Sequence, residues 1–148
     1  MKLLALTLLW ICLSDSPAWQ TDYKIAQQQA IKTHKLLLIN FSGSDWCLPC
    51  IRLKKDVFEK ETFLQYASTN LVLMNADFPR KSKSKSPAEI TKQNEALAEK
   101  YNPGGIFPLT LLMTPEGKEL RRWEGNTTSD ANQFTDEIKK AAETWMPN

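Results

Sequence analysis

The sequence has few cysteine and histidine residues, which are the main ligands of zinc sites and, in the case of cysteine, the residues that build networks of disulfides. Its 148 residues include three cysteines and one histidine, His34. A structural zinc site needs four ligands, and Cys47, Cys50 and His34 would need help from carboxylates to supply them. We therefore expect no bound metal and no organic cofactor.

Neither sign of charge dominates the sequence. Nineteen Lys and Arg residues face seventeen Asp and Glu residues, for a formal net charge of +2. So small an excess gives no reason to expect a nucleic acid as partner. The chain has no internal repeats, and its length suits one domain with a proper hydrophobic core.

The N-terminus carries the longest apolar run. Lys2 is followed by apolar residues over 3–13, a stretch too short for a stable transmembrane helix, and small residues follow at 16–18. This pattern predicts a secretory signal peptide, residues 1–18, and a single domain, residues 19–148. The protein would then be exported, to the periplasm if bacterial and otherwise secreted. An N-terminal core helix or a membrane anchor is the alternative.

Removal of the signal peptide would leave Cys47 and Cys50 as the remaining cysteines. It would remove Cys12, where lipidation is an alternative although Trp10 and Ile11 are too large for a lipoprotein signal. A bridge between Cys47 and Cys50 would close a very short loop, so it would stabilise the fold little. The pair is therefore poorly explained as structural reinforcement.

Hydrophobic patterning predicts an α/β fold with a mixed sheet. We expect Tyr23, Ile25 or Ala26, Ala30 and Ile31 near one apolar face of the first helix. The predicted order is helix, strand, helix, strand, helix, strand, strand, helix, at about residues 22–35, 36–41, 47–67 with a break near 58–60, 71–76, 87–101, 109–113, 118–123 and 130–145.

The spacing of the two cysteines suits thiol chemistry. Cys47 follows a buried strand and a turn, at the first turn of a helix, where free N–H groups favour a thiolate. Cys50 lies one turn further on, within bonding reach and less exposed. This arrangement predicts an attacking and a resolving sulfur. Pro49 would stiffen the pair and Trp46 would offer a surface to a substrate. Half of a zinc site, a copper carrier and two inert buried thiols remain alternatives.

The motif WCLPC, residues 46–50, resembles the active site of exported thioredoxin-fold disulfide oxidoreductases. A second landmark is GGIFPLT, residues 104–110, followed by a strand, a turn and a strand. The resemblance covers nearly all of the chain after residue 18. It implies a thioredoxin-like fold, a central mixed sheet flanked by helices. It also implies a cis peptide bond before Pro108 and contact between Phe107 and the substrate.

Two positions depart from the family pattern. Asn40 stands where cytosolic thioredoxins bury an Asp, and Leu73 stands where they have a Lys on the neighbouring strand. Asn cannot titrate, so the proton of the buried thiol must move through water or another residue. Asp45 is expected in an exposed loop, without that role.

The resemblance implies a thiol–disulfide oxidoreductase in which Cys47 is the nucleophile and Cys50 resolves the mixed disulfide. Leu48 and Pro49 place no charge between the cysteines, which favours a reductase. The implied partners are protein or peptide thiols and disulfides and a membrane protein that exchanges electrons, and we expect a monomer. A disulfide oxidase or isomerase, or a non-catalytic binding module, is the alternative.

One polar segment does not belong to this motif. Residues 78–87, FPRKSKSKSP, alternate basic and small polar side chains. Such a segment is typical of a solvated loop, and it also suits an acidic partner or a membrane surface.

Overall fold

The computed structural model describes residues 16–145. Most of the predicted signal peptide, together with Cys12, lies outside these described residues. None of the helices within residues 16–145 is both long enough and apolar enough to cross a bilayer.

A five-stranded sheet forms the centre of the fold. The parallel strands β1, β3 and β2 lie on one side and the antiparallel strands β4 and β5 on the other, in the order β1-β3-β2-β4-β5. The predicted mixed sheet is therefore confirmed, and β1, too short to give a periodic pattern, is an addition to it. The strands are β1 (Trp19–Gln20), β2 (Leu36–Ser42), β3 (Leu71–Asp77), β4 (Leu109–Met113) and β5 (Glu119–Glu124).

Within residues 16–145, five α-helices pack around the sheet. They are α1 (Tyr23–Thr33), α2 (Leu48–Leu53), α3 (Glu61–Asn70), α4 (Ala88–Tyr101) and α5 (Ala131–Glu143). The helix predicted after Cys47 changes after its first six residues into a π-helical segment, Lys54–Phe58. His34 caps the end of α1 in a left-handed conformation, with φ of 53°.

The sheet separates two hydrophobic cores, because alternate residues of β2 point to opposite faces. Leu36 and Leu38 lie in a core with α3, α5 and the π-helical segment. Leu37, Ile39 and Phe41 lie in the other core, with α1 and α4. Both faces of β2 are thus covered, which explains its continuous apolar sequence.

Helix α1 contacts the sheet through small side chains. Ala26 and Ala30 are fully buried, whereas Ile31 is 52% exposed. The expectation that Ile31 belongs to the buried face was wrong. The two buried alanines are four positions apart, so they share one stripe of the helix, and Ile31 falls beside that stripe.

Phe134 of α5 lies at the centre of an aromatic cluster in the first core. Its ring centroid is 4.8 Å from Trp123, 5.9 Å from Phe58 and 6.4 Å from Phe63. The side chain is 1% exposed. These contacts hold α5 against β5 and against the helical segment that follows the cysteines.

Phe134→Ala is expected to lower the free energy of unfolding by about 3–5 kcal/mol, because it removes a buried ring and leaves a cavity. Urea unfolding followed by tryptophan fluorescence would measure the loss. Ile31→Ala is the matched control, and its half-exposed side chain should change the stability by no more than about 0.5 kcal/mol. Equal losses in the two variants would contradict this description of the core.

Candidate active site

A tight turn carries the chain from the end of β2 into α2. The carbonyl oxygen of Gly43 accepts hydrogen bonds from the N–H of Cys47 at 2.8 Å and of Trp46 at 3.2 Å. A Cβ atom at position 43 would collide with the indole ring of Trp46. Glycine is needed here because the ring lies directly on the backbone of the turn.

Cys47 is the N-cap of α2 and is disulfide-bonded to Cys50. The two Cα atoms are 5.3 Å apart, and the Cys47 Sγ accepts a hydrogen bond of 3.3 Å from the Cys50 N–H. This position agrees with the prediction of a cysteine at the first turn of a helix. The reduced Cys47 thiolate would be stabilised by the same N–H group and by the N-terminal end of the helix.

The predicted difference in exposure between the cysteines was wrong for this disulfide form. Cys47 is 4% exposed and Cys50 is 5% exposed. Both residues are buried at the start of α2, where the disulfide joins them. The surface beside them is apolar instead, because Leu48 is 56% exposed, Ile51 is 45% exposed and Pro49 also faces solvent.

Trp46 joins three separate segments beside the disulfide. Its Nε1–H donates a hydrogen bond of 2.7 Å to the carbonyl oxygen of Phe78. Its ring meets the Phe107 ring edge-on, with centroids 5.4 Å apart, and Phe107 contacts Phe78 in the same way. The peptide bond between Phe107 and Pro108 is cis, as predicted. The structure thus brings Trp46 and the Phe107–Pro108 segment together, as a common substrate surface would require.

Asp45 ties the loop after β3 to this turn. Its carboxylate accepts hydrogen bonds from the backbone N–H groups of Arg80, at 3.0 Å, and Lys81, at 2.8 Å. These N–H groups hold the pKa of the Asp45 carboxyl below its ordinary value, that of Arg80 contributing most. The guanidinium of Arg80 in turn lies over the Trp46 ring, 3.9 Å from its centroid.

Asn40 belongs to a polar network beneath the turn. Its Nδ2 donates to the Asn75 amide oxygen at 3.0 Å, and its own amide oxygen accepts from the Thr110 hydroxyl at 3.2 Å. Leu73, which we expected at the place of the family's Lys on the neighbouring strand, does not lie opposite Asn40. The parallel register pairs Asn40 with Asn75, and Leu73 pairs with Leu38 inside the first core.

The network continues to the edge of the sheet. The Ser42 hydroxyl lies 3.2 Å from both the Asn75 amide oxygen and the Asp77 carboxylate. Asp77 also accepts from the backbone N–H of Ser44, at 2.9 Å, and from its hydroxyl, at 2.5 Å. Ser42, Asn75 and Asp77 were not predicted as residues of the site. The available signal was polar residues two apart near the ends of two apolar strands, since such residues share one face.

A pocket of about 350 Å³ opens beside Cys50. Asn40, Ser42, Asn75 and Lys54 line it with polar groups. It has room for several water molecules, each of which occupies about 30 Å³ in the liquid. Within residues 16–145 no group of three or more potential metal ligands occurs. Water in this pocket can reach the thiol of Cys50, although the residues that line the pocket include no carboxylate.

The Asp45 carboxylate should stabilise the fold in a pH-dependent way. Its pKa is lowered on folding, so this contribution is complete above the ordinary carboxyl pKa and disappears as the pH falls through the lowered value. Asp45→Ala should therefore be less stable than the natural protein at pH 7, and the gap should close in acid. Urea unfolding at a series of pH values would measure it. Asp136→Ala removes an exposed carboxylate and is the control. A gap independent of pH would contradict the role of the Asp45 charge.

A family model described as a thioredoxin-like domain matches residues 23–142. Disulfide bond reductase DsbH of Chlamydia pneumoniae is 32% identical over 104 residues, which are 70% of this chain and 60% of that protein. Thioredoxin-related protein DsbJ of the same organism is 33% identical over 110 residues, 74% of this chain and 30% of that protein. The chain thus spans less than two thirds of the length of either relative.

Solved structures share the fold. The structure named DsbH Oxidoreductase superposes with a TM-score of 0.76 at 28% identity. The superposition covers 85% of this chain and 84% of that chain. A thioredoxin from Thermus thermophilus superposes with a TM-score of 0.64 at 16% identity, covering 86% of this chain and 88% of its own. With the family model over most of its length and the predicted sheet and flanking helices in place, this chain belongs to the thioredoxin-like family.

Proposed function

We propose that this protein is an exported thiol–disulfide oxidoreductase that acts mainly as a reductase of protein or peptide disulfides. The observation that carries the proposal is the Cys47–Cys50 disulfide at the N-terminal end of α2. The pair closes a very short loop, so stabilisation of the fold does not explain it. Its position at a helix start, next to exposed apolar side chains, suits exchange with a partner disulfide.

In the reductive direction both cysteines start as thiols. The Cys47 thiolate attacks one sulfur of the substrate disulfide, a Cys47–substrate bond forms, and the substrate disulfide breaks. The second substrate sulfur leaves as a thiolate and takes a proton from solvent. Cys47 serves as the attacking sulfur because it is the N-cap, where backbone N–H groups stabilise its negative charge.

The second step releases the product. The Cys50 thiolate attacks the Cys47 sulfur, the Cys47–Cys50 bond forms, and the remaining substrate sulfur leaves and is protonated. Two electrons have then passed from the protein to the substrate. Cys50 must lose its proton before this step, and solvent in the adjoining pocket can accept it, since the amide of Asn40 cannot.

Two observations support the reductive direction. Leu48 and Pro49 place no charge and no hydrogen-bond donor side chain between the cysteines. A strong oxidant owes its potential to a stabilised reduced form, and these two side chains do not provide such stabilisation. The relative DsbH carries the name of a disulfide bond reductase. The same residues also catalyse the reverse reaction, so direction follows from the potential of the pair and of its partners.

Export and an electron donor complete the proposal. Residues 1–18 have the pattern of a secretory signal peptide. Each reductive turnover leaves the Cys47–Cys50 bond formed, and residues 16–145 contain no further cysteine to reduce it. A second protein must therefore return two electrons to the pair, and outside the cytoplasm a membrane protein is the suitable source. Trp46, Phe107 and Pro108 are proposed to contact the substrate.

Cys50→Ser should trap the mixed disulfide, because the attacking thiol is present and the resolving thiol is absent. A peptide with one disulfide would be mixed with the reduced variant, and the adduct measured by mass spectrometry under non-reducing conditions. The variant should gain the mass of one peptide. Cys47→Ser is the matched control and should gain none. Adduct formation at equal rates would contradict the assigned roles, and faster formation on Cys50 in the control would reverse them.

The equilibrium potential of the pair tests the function as a whole. The protein would be equilibrated in glutathione and dithiothreitol buffers, and its free thiols trapped and counted. A value near that of thioredoxin, about −270 mV, is expected for a reductase. A value near about −120 mV would make the protein an oxidase. If the bond formed in none of the buffers, the redox function would be wrong and a binding module would remain.

A further inference from the structure

Four positive charges lie in one short segment beside the disulfide. Residues 80–85, called the basic loop here, contain Arg80, Lys81, Lys83 and Lys85 with two serines and no acidic residue. All six residues are exposed. The reaction steps proposed above make no use of these charges.

The basic loop is held at the site by two contacts. The Asp45 carboxylate binds the backbone N–H groups of Arg80 and Lys81, and the Arg80 guanidinium stacks over the Trp46 ring at 3.9 Å. Asp45 and Trp46 immediately precede Cys47. A partner that places its sulfur on Cys47 must therefore come close to the basic loop.

Two carboxylates beside the site, Asp45 and Asp77, offset part of this charge, and Asp45 interacts electrostatically with Lys81. Among residues 16–145, neither of them forms an ion pair with a side chain of the basic loop. The Asp45 carboxylate accepts from backbone N–H groups, and the Asp77 carboxylate accepts from Ser42 and Ser44. In the part of the chain that the structure describes, Lys81, Lys83 and Lys85 form no ion pair, whereas Lys54, Lys139, Arg121 and Arg122 each do. The lysine charges of the basic loop remain available to a partner.

We propose that the basic loop binds acidic residues that flank the disulfide or dithiol of a polypeptide partner. The inference rests on the proposed function and names the substrate class of the same site. A polypeptide is favoured over a membrane surface because the loop lies beside the cysteine pair, and a polypeptide can carry both the disulfide that the pair reacts with and the acidic side chains that complement the loop. A second copy of this chain is a poor occupant, because its own net charge is +2.

The expected effect is on the rate of encounter. Clustered charge beside a reactive group raises the association rate of an oppositely charged partner by about tenfold or more at low ionic strength. Salt should reduce the effect, because the Debye length falls to about 8 Å at physiological ionic strength.

The test uses single-turnover reduction of matched substrates. Two peptides share one internal disulfide and differ only in their flanking residues, Glu in one and Lys in the other. The reduced protein, freed of dithiothreitol, is mixed with each peptide, and the second-order rate constant is measured by thiol trapping. Each rate is divided by the rate with 2-hydroxyethyl disulfide, which is uncharged, so that a general loss of reactivity cancels.

The variant Lys83→Glu/Lys85→Glu replaces two of the four positive charges of the basic loop with negative charges. Its matched control is Lys32→Glu/Lys118→Glu. Lys118 lies in the turn that follows β4, and the last residue of β4, Met113, pairs with Leu37 near the start of β2. Lys32 lies in the last turn of α1, shortly before β2. Both lysines therefore lie at the end of the sheet where β2 begins, opposite to the cysteine pair. Each variant exchanges two lysines for two glutamates, so the net charge changes from +2 to −2 in both.

The natural protein and the control should prefer the Glu-flanked peptide by about tenfold at low salt, and the loop variant should lose or reverse this preference. Equal rates for both peptides, or an equal loss in the control, would overturn the inference. Loop-dependent binding to phosphatidylglycerol vesicles without peptide preference would also overturn it and assign the loop to membranes. Failure to reduce even 2-hydroxyethyl disulfide would instead contradict the proposed function.

Discussion

The parallel register between β2 and β3 determines what lies around the disulfide. It pairs Asn40 with Asn75 and Ser42 with Asp77, and the N–H of Phe78 still donates to the Ser42 carbonyl at 2.8 Å after β3 has ended. Both strands therefore end at the same edge of the sheet. The turn that carries the cysteines and the basic loop leave from that edge together, which is where open α/β sheets bind their ligands.

Trp46 joins the segments around the disulfide into one surface. Its indole closes over Gly43 on one side, donates to the Phe78 carbonyl, and meets Phe107 before β4. Three segments that are distant in sequence are thus fixed relative to Cys47 by one side chain. A reactive centre benefits from such support, because substrate and sulfur must be positioned within a fraction of an ångström.

The fold and the cysteine motif could be predicted from the sequence, because both depend on local signals. Apolar runs of strand length and the spacing of Cys47 and Cys50 are visible without a structure. The residue that lies opposite Asn40 could not be predicted from the sequence, because β2 and β3 are parallel strands separated by helices and a long connection. A shift of their register by two residues places Leu73 opposite Asn40 instead of Asn75, and the same face of the strand stays buried. The anchoring of Arg80 by Asp45 spans 35 residues, and no local pattern encodes it.

The site presents two kinds of surface, and they have different consequences for selectivity. Leu48 and Ile51 are exposed and apolar, so almost any unfolded segment that covers them gains binding free energy in proportion to the apolar area buried. The basic loop discriminates in the proposal made above, because charge attracts one class of partner and repels the opposite class over a longer distance. The discriminating charge stands on a loop fixed by Asp45, and the attacking sulfur stands at the start of α2. The proposed partner choice and the proposed redox step therefore use different residues of the same edge of the sheet.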